Sequence, residues 1–101
     1  MLPKKIKTGS VDYKVLEAEH RNTDSNQVLC GEIDYFQATI YINETGTKQT
    51  KEQTLLHEIV HGILITMGKG ELNDDETFVD GLSYNLHQLL SDNLLYFGKE
   101  G

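Results

Sequence analysis

The fold of this chain is decided by residues 54–67, which have the sequence TLLHEIVHGILITM. Apolar side chains recur there at the three- and four-residue intervals of a helix that buries one broad face. The apolar positions are Leu55, Leu56, Ile59, Val60, Ile63, Leu64 and Met67. We therefore predict a long helix against which the rest of the chain packs.

This helix carries two histidines four residues apart, His57 and His61, with Glu58 directly after the first. Residues four apart share a helix face, so both imidazoles can reach one metal ion. The pattern His-Glu-x-x-His on a helix is typical of catalytic zinc sites. The alternative is that His57, Glu58 and His61 are ordinary helix residues that bind no metal. Because an unpaired buried charge costs several kcal/mol, three ionisable groups within one turn of an apolar helix favour the metal site.

The length, charge and hydropathy of the chain limit the classes of protein to which it can belong. We expect the 101 residues to form a single domain, residues 1–101, with one modest core. Sixteen acidic residues against nine basic ones give a formal net charge of −7, which disfavours direct nucleic-acid binding. The sequence has no apolar run near the roughly 18 residues of a membrane span and no signal-peptide stretch, so we expect a cytoplasmic protein without membrane contact. The single cysteine, Cys30, is expected to be a small buried residue.

Three strands are predicted before the helix. Residues 13–19 are rich in alternating β-branched and aromatic side chains, as are residues 28–35 and 39–43 on either side of a tight connection. The polar residues 20–27 form a predicted loop. We expect an α+β fold, in which a small three-stranded antiparallel sheet packs against two main helices. Strand 39–43 would be the exposed edge that receives an extended substrate.

Capping signals bound the two helices. Thr50 and Gln53 resemble a capping box that would open the first helix between residues 47 and 50, and the glycines at 68–70 would end it. Asn73 and Glu76 form a second candidate box, which would open a helix that runs to about residue 92.

A catalytic zinc site needs one more protein ligand, because such sites use three protein groups and keep one position open for water. No third histidine follows at the spacing that metzincins use. A carboxylate on the second helix is the alternative, and Glu76 and Asp80 share a face there. Asp74 and Asp75, at the start of the same helix, are competing ligands whose ordinary role would be to interact with the helix dipole.

The combined pattern resembles that of the gluzincins, in which His-Glu-x-x-His is followed on a later helix by Glu-x-x-x-Asp or a close variant. With the two strands before the first helix, it looks most like the small phage and mobile-element peptidases of the ImmA/IrrE type. The resemblance implies one zinc ion per chain between the two helices, held by His57, His61 and Glu76. It also implies that Asp80 hydrogen-bonds a ligand histidine, His57. The expected activity is that of a zinc endopeptidase in a bacterium or phage-infected host, acting on a protein or peptide such as a repressor.

The expected reaction is hydrolysis of a peptide bond by a water molecule that zinc activates. Glu58 would be the general base, which takes the proton of the water and passes it to the leaving amine. Tyr84 and His87 are the candidate stabilisers of the tetrahedral intermediate, although His87 lies about three helical turns from Glu76 and an aromatic residue such as Tyr84 more often packs in a core. The rival hypothesis is a zinc-stabilised regulatory or protein-binding module with little or no hydrolysis. Glu58 favours the enzyme, since a structural zinc site has no use for a base.

Overall fold

The computed structural model describes residues 2–19 and 30–93. Within these ranges the elements are β1 Lys5–Thr8, β2 Val11–Ala18, β3 Gly31–Asp34, β4 Thr39–Asn43, α1 Lys48–Thr66, α2 Gly70–Asn73 and α3 Glu76–Asp92. The strands form one sheet in the order β1-β2-β4-β3. The β1–β2 and β3–β4 pairs are antiparallel, whereas β2 and β4 run parallel. The fold is therefore α+β, as predicted, with a mixed sheet.

The prediction of a three-stranded antiparallel sheet is wrong in strand number and in direction. An additional strand, β1, precedes β2 and is joined to it by a tight turn at Gly9 and Ser10, whose φ angles are both positive (58° and 67°). The strand predicted as an edge, β4, lies inside the sheet, and β3 is an edge. The predicted loop at 20–27 lies outside the described residues.

The inner position of β4 follows from its composition. Thr39, Ile40 and Ile42 are all buried, whereas every residue of β3 is only partly buried. A strand that lies between two others and packs against a helix buries more of its surface than an edge strand does. The more apolar arm of the β3–β4 hairpin therefore pairs with β2, and the hairpin presents its more polar arm at the edge.

The main core lies between the sheet and α1. Its buried side chains are Tyr13, Val15, Ile40, Ile42 and Leu55. Full burial of each such side chain contributes about 1.5–3 kcal/mol. A second, smaller cluster of Val60, Leu64 and Val79 joins α1 to α3. Since both clusters include residues of α1, this helix packs against the sheet on one side and against α3 on another.

A glycine brings the edge strand close to α1. A Cβ atom on Gly31 would lie 2.6 Å from Cγ2 of Thr54 and 2.7 Å from the carbonyl oxygen of Tyr41. Only a residue without a side chain fits at that separation. The close approach sets β3 beside the histidines of α1.

The first helix begins and ends near the predicted positions. Its N-cap is Thr47, whose hydroxyl accepts a hydrogen bond from the backbone N–H of Thr50 at 3.1 Å. The start therefore falls within the predicted window, although Thr50 is not the cap. After the C-cap at Met67, Gly68 has a φ of 72°, the left-handed conformation that commonly terminates a helix.

The second long helix begins later than predicted. Asn73 is the last residue of the short helix α2, and the N-cap of α3 is Asp75. The carboxylate of Asp75 accepts a hydrogen bond from the backbone N–H of Phe78 at 3.1 Å. The prediction that Asn73 opens this helix is therefore wrong. An N-cap carboxylate both accepts a hydrogen bond and interacts favourably with the helix dipole.

Few residues of α3 are buried. They are Val79 and Ser83, whereas the large apolar side chains of Phe78 and Leu82 remain 38% and 40% exposed. Cys30, expected to be buried, is also exposed. In the described ranges, no helix is both long enough and apolar enough to cross a membrane.

Candidate metal centre

A cleft of about 410 Å³ lies at the junction of α1, the edge strand β3 and the start of α3. Its lining residues come from β3 and the turn after it, from α1, and from the segment between the end of α2 and the start of α3; they are Gly31, Glu32, Ile33, Tyr35, His57, Glu58, His61, Asn73, Asp74 and Glu76. The helix spacing places all three motif residues of α1 at this cleft.

Three side chains bring their ligand atoms together here. Nε2 of His57 lies 3.2 Å from Nε2 of His61 and 3.2 Å from Oε1 of Glu76. Nε2 of His61 lies 3.3 Å from Oε2 of the same carboxylate. Ligands bound tetrahedrally to zinc at its usual bond lengths are about 3.3 Å apart. The cluster of His57, His61 and Glu76 can therefore hold a metal ion.

Each histidine ring also makes a hydrogen bond on the side that faces away from the ligand cluster, and this bond indicates that its Nδ1 atom carries a proton. Nδ1 of His57 lies 2.9 Å from Oδ1 of Asp80, and Nδ1 of His61 lies 2.7 Å from Oδ1 of Asn73. Neither a carboxylate nor an amide oxygen can donate a proton, so each Nδ1 carries the hydrogen. In neutral rings each Nε2 then presents a lone pair to the other ring and to the carboxylate of Glu76. A proton or a metal ion among these atoms relieves their mutual repulsion, and a divalent metal ion can bind all three at once, so the donor set fits such an ion.

Glu58 is the buried acidic residue of the cleft, with only 6% of its surface exposed. Burial, together with the negative charges of Glu76 and Glu32, raises the pKa of its carboxyl group to about 8. A divalent cation beside it would favour the ionised form and lower this pKa. A carboxyl group whose charge is so sensitive to its surroundings is suited to accept and release protons.

The two competing ligands take other positions. The carboxylate of Asp75 is the N-cap of α3, and Asp74 lines the cleft without joining the ligand cluster. Glu76, in the first turn of α3, is the acidic residue that reaches both histidines. Asp80, one turn further on, reaches the opposite side of the His57 ring.

The structure does not bring the two candidate stabilisers of the intermediate to the cleft. Tyr84 is 65% exposed on α3, and His87 lies beside Glu52, with its Nε2 3.1 Å from Oε1 of that residue. Neither residue is among those that line the cleft in the described part of the chain.

Asn73 and Tyr35 are among the cleft residues that were not predicted from the sequence. Asn73, interpreted there as a helix cap, instead holds the ring of His61. Tyr35 lines the same cleft and its phenol interacts with the side chain of Asn73. Burial raises the pKa of Tyr35, and the hydrogen bond with Asn73 opposes this effect. No local pattern marks either residue, because their roles depend on contacts between distant parts of the chain.

Comparisons with models of protein families, with curated proteins and with solved structures returned no match. The chemistry and geometry of the cleft are therefore what indicate a function for this protein.

Proposed function

We propose that this protein is a zinc-dependent endopeptidase that hydrolyses peptide bonds of a protein substrate and holds one zinc ion per chain. The observation that carries the proposal is the cluster of His57, His61 and Glu76 at zinc-ligand spacing, with the buried carboxyl of Glu58 at the same cleft. Two imidazoles and one carboxylate are a typical ligand set of catalytic zinc. The cleft leaves room beside them for water and a peptide.

The reaction follows from the residues around the cluster. Zinc held there would supply a Lewis acid that lowers the pKa of a water molecule and polarises the peptide carbonyl group. Glu58 accepts a proton from the water molecule while the oxygen of the water forms a bond to the carbonyl carbon. The proton then passes to the amide nitrogen, the C–N bond breaks, and the products are a carboxylate and an amine. Asp80 and Asn73 keep the two imidazoles oriented throughout.

The substrate backbone is expected to lie along β3. Among the strands of residues 2–19 and 30–93, this strand is at an edge of the sheet, and its residues Gly31, Glu32 and Ile33 line the cleft. Exposed edge strands bind extended peptides by adding a strand to the sheet. This position replaces the one expected from the sequence, because β4 is already paired on both sides. Glu32 and Asp74 add negative charge to the cleft, which favours substrates with basic side chains near the cleaved bond.

The order of the motifs supports a gluzincin of the small ImmA/IrrE type. In that case the protein substrate would be one such as a repressor, in the cytoplasm of a bacterium or a phage-infected host. The open cleft beside the cluster supports an enzyme over a zinc-stabilised binding module, because structural zinc sites close the fourth position with protein.

The test compares the zinc-loaded parent protein with the Glu58→Gln variant on denatured casein and on a panel of folded proteins. Elemental analysis should find one zinc per chain in both. Mass spectrometry should detect cleavage by the parent, at a rate at least about 100-fold above that of the variant, because only the parent has a general base. A parent protein that holds zinc and cleaves nothing would instead be a zinc-stabilised binding module. Absence of stoichiometric zinc would exclude both functions.

A further inference from the structure

Hydrolysis of a peptide bond places negative charge on the former carbonyl oxygen, and enzymes stabilise this oxyanion with a preorganised hydrogen-bond donor. We propose that Tyr35 is a further catalytic residue, whose hydroxyl donates a hydrogen bond to that oxyanion. The inference rests on the proposed peptidase function and deepens it. It transfers to Tyr35 the role that the sequence suggested for Tyr84 or His87.

The position of Tyr35 is set by the turn that follows the edge strand. The backbone N–H of Gln37 donates a hydrogen bond to Oδ1 of Asp34 at 2.9 Å, which closes the turn around Tyr35. Tyr35 directly follows β3, along which the substrate is expected to lie, and it lines the same cleft as Glu58 and the ligand cluster. Its side chain is 40% exposed, so a bound peptide can reach it.

The direction of the hydroxyl proton follows from Asn73. The amide oxygen of Asn73 accepts the Nδ1 proton of His61 at 2.7 Å. The amide NH₂ group is not used in that bond, and Asn73 lowers the pKa of Tyr35, which is the effect of a group that donates a hydrogen bond to the phenol oxygen. A phenol has one proton, and this arrangement leaves it available to a substrate. Asn73 thus orients both a metal-ligand histidine and the proposed donor.

The surroundings of Tyr35 also keep its proton in place. Partial burial raises the pKa of the phenol, and the nearby carboxylates of Glu58 and Asp74 act in the same direction. A protonated phenol can donate to an oxyanion, whereas a phenolate would repel it.

The test removes only the hydroxyl group. Tyr35→Phe is compared with the parent and with Tyr84→Phe, a matched change at a residue that is 65% exposed and away from the cleft. Cleavage sites in denatured casein are located by mass spectrometry, and a synthetic peptide of one such sequence serves as the kinetic substrate. We expect Tyr35→Phe to lower kcat by about 100-fold with little change in KM, because the interaction forms only in the transition state. Tyr84→Phe should match the parent.

A second measurement needs no turnover. In a phosphinic analogue of the same peptide, a tetrahedral phosphinate replaces the cleaved amide group and presents an anionic oxygen. Calorimetry should show affinity for this analogue at least about 10-fold lower in Tyr35→Phe than in the parent or in Tyr84→Phe.

Three outcomes would overturn the inference. Equal kcat and equal analogue affinity in Tyr35→Phe and the parent would exclude Tyr35 while leaving the peptidase intact. A loss of zinc or of thermal stability in Tyr35→Phe that accounts for the lower rate would make Tyr35 a structural residue. If the zinc-loaded parent cleaves no substrate, the proposed function fails, and the catalytic role of Tyr35 fails with it.

Discussion

Removal of the metal should make the folded state sensitive to pH through the buried carboxyl group of Glu58. Burial, with a smaller contribution from the charges of Glu76 and Glu32, raises the pKa of this group from 4.5 to about 8. A carboxyl group with a higher pKa in the folded state binds its proton more tightly there than in the unfolded chain. Its contribution to stability is therefore complete below pH 4.5 and is lost as the pH rises through about 8.

The size of the pKa shift sets the size of this effect. At about 1.36 kcal/mol per pKa unit, the free energy of unfolding should fall by as much as about 5 kcal/mol between the two pKa values. Small domains have total stabilities of about 5–15 kcal/mol. The metal-free protein should therefore be close to unfolding at the alkaline end of the range.

The assay is urea denaturation of EDTA-treated protein at a series of pH values, run in parallel for the parent and for Glu58→Gln. The variant keeps the size of the side chain but cannot ionise, so the difference between the two curves separates Glu58 from the histidines, which also titrate. We expect the variant to gain stability over the parent as the pH rises above 4.5. Saturating zinc should remove this difference, since a nearby cation favours the ionised carboxylate. If the free energies of unfolding of the metal-free parent and variant differed by the same amount at every pH, the reasoning would be refuted.

Two further predictions concern the metal. His61→Ala and Glu76→Gln should weaken zinc binding measured by competition with a chelator, and should reduce the rise in melting temperature that zinc produces, because only the folded state holds the ligands together. Asp75→Asn, which removes a charge from the N-cap of α3 and not from the cluster, should bind zinc like the parent; an equal loss in this variant would contradict the ligand assignment. Asp80→Ala should lower zinc affinity or activity by about 10- to 100-fold, because the ring of His57 loses the carboxylate that orients it. Unchanged affinity and activity in Asp80→Ala would show that the hydrogen bond is dispensable.

Local spacing along the chain was enough to predict the central helix and the placement of its motif. His57, Glu58 and His61 lie within one turn, so any helix through these residues brings both imidazoles to one side. The start of α1 was also predictable, because threonine hydroxyls cap helices through contacts that span only three residues. The spacing of four between Glu76 and Asp80 likewise placed both residues on one face of α3, and that face meets the histidines.

The arrangement of the sheet was not predictable from local pattern. Alternation predicts that a segment is a strand, but it does not determine which neighbour the strand pairs with or in which direction. The β3–β4 hairpin could have joined β2 through either arm. The choice depends on which arm buries more apolar surface once the sheet packs on α1, and this made β3 the edge beside the cleft.

The hydrogen bonds that orient the site residues were not predictable from local pattern either, because they join segments that are distant in sequence. Asn73 meets His61 across twelve residues of sequence and also meets Tyr35 from the turn after β3. Such pairs come together only when the short helix α2, the sheet edge and α1 pack around one cleft. A helical motif is encoded within a single turn, whereas the groups that orient its side chains come from distant segments, whose meeting depends on the packing of the whole domain.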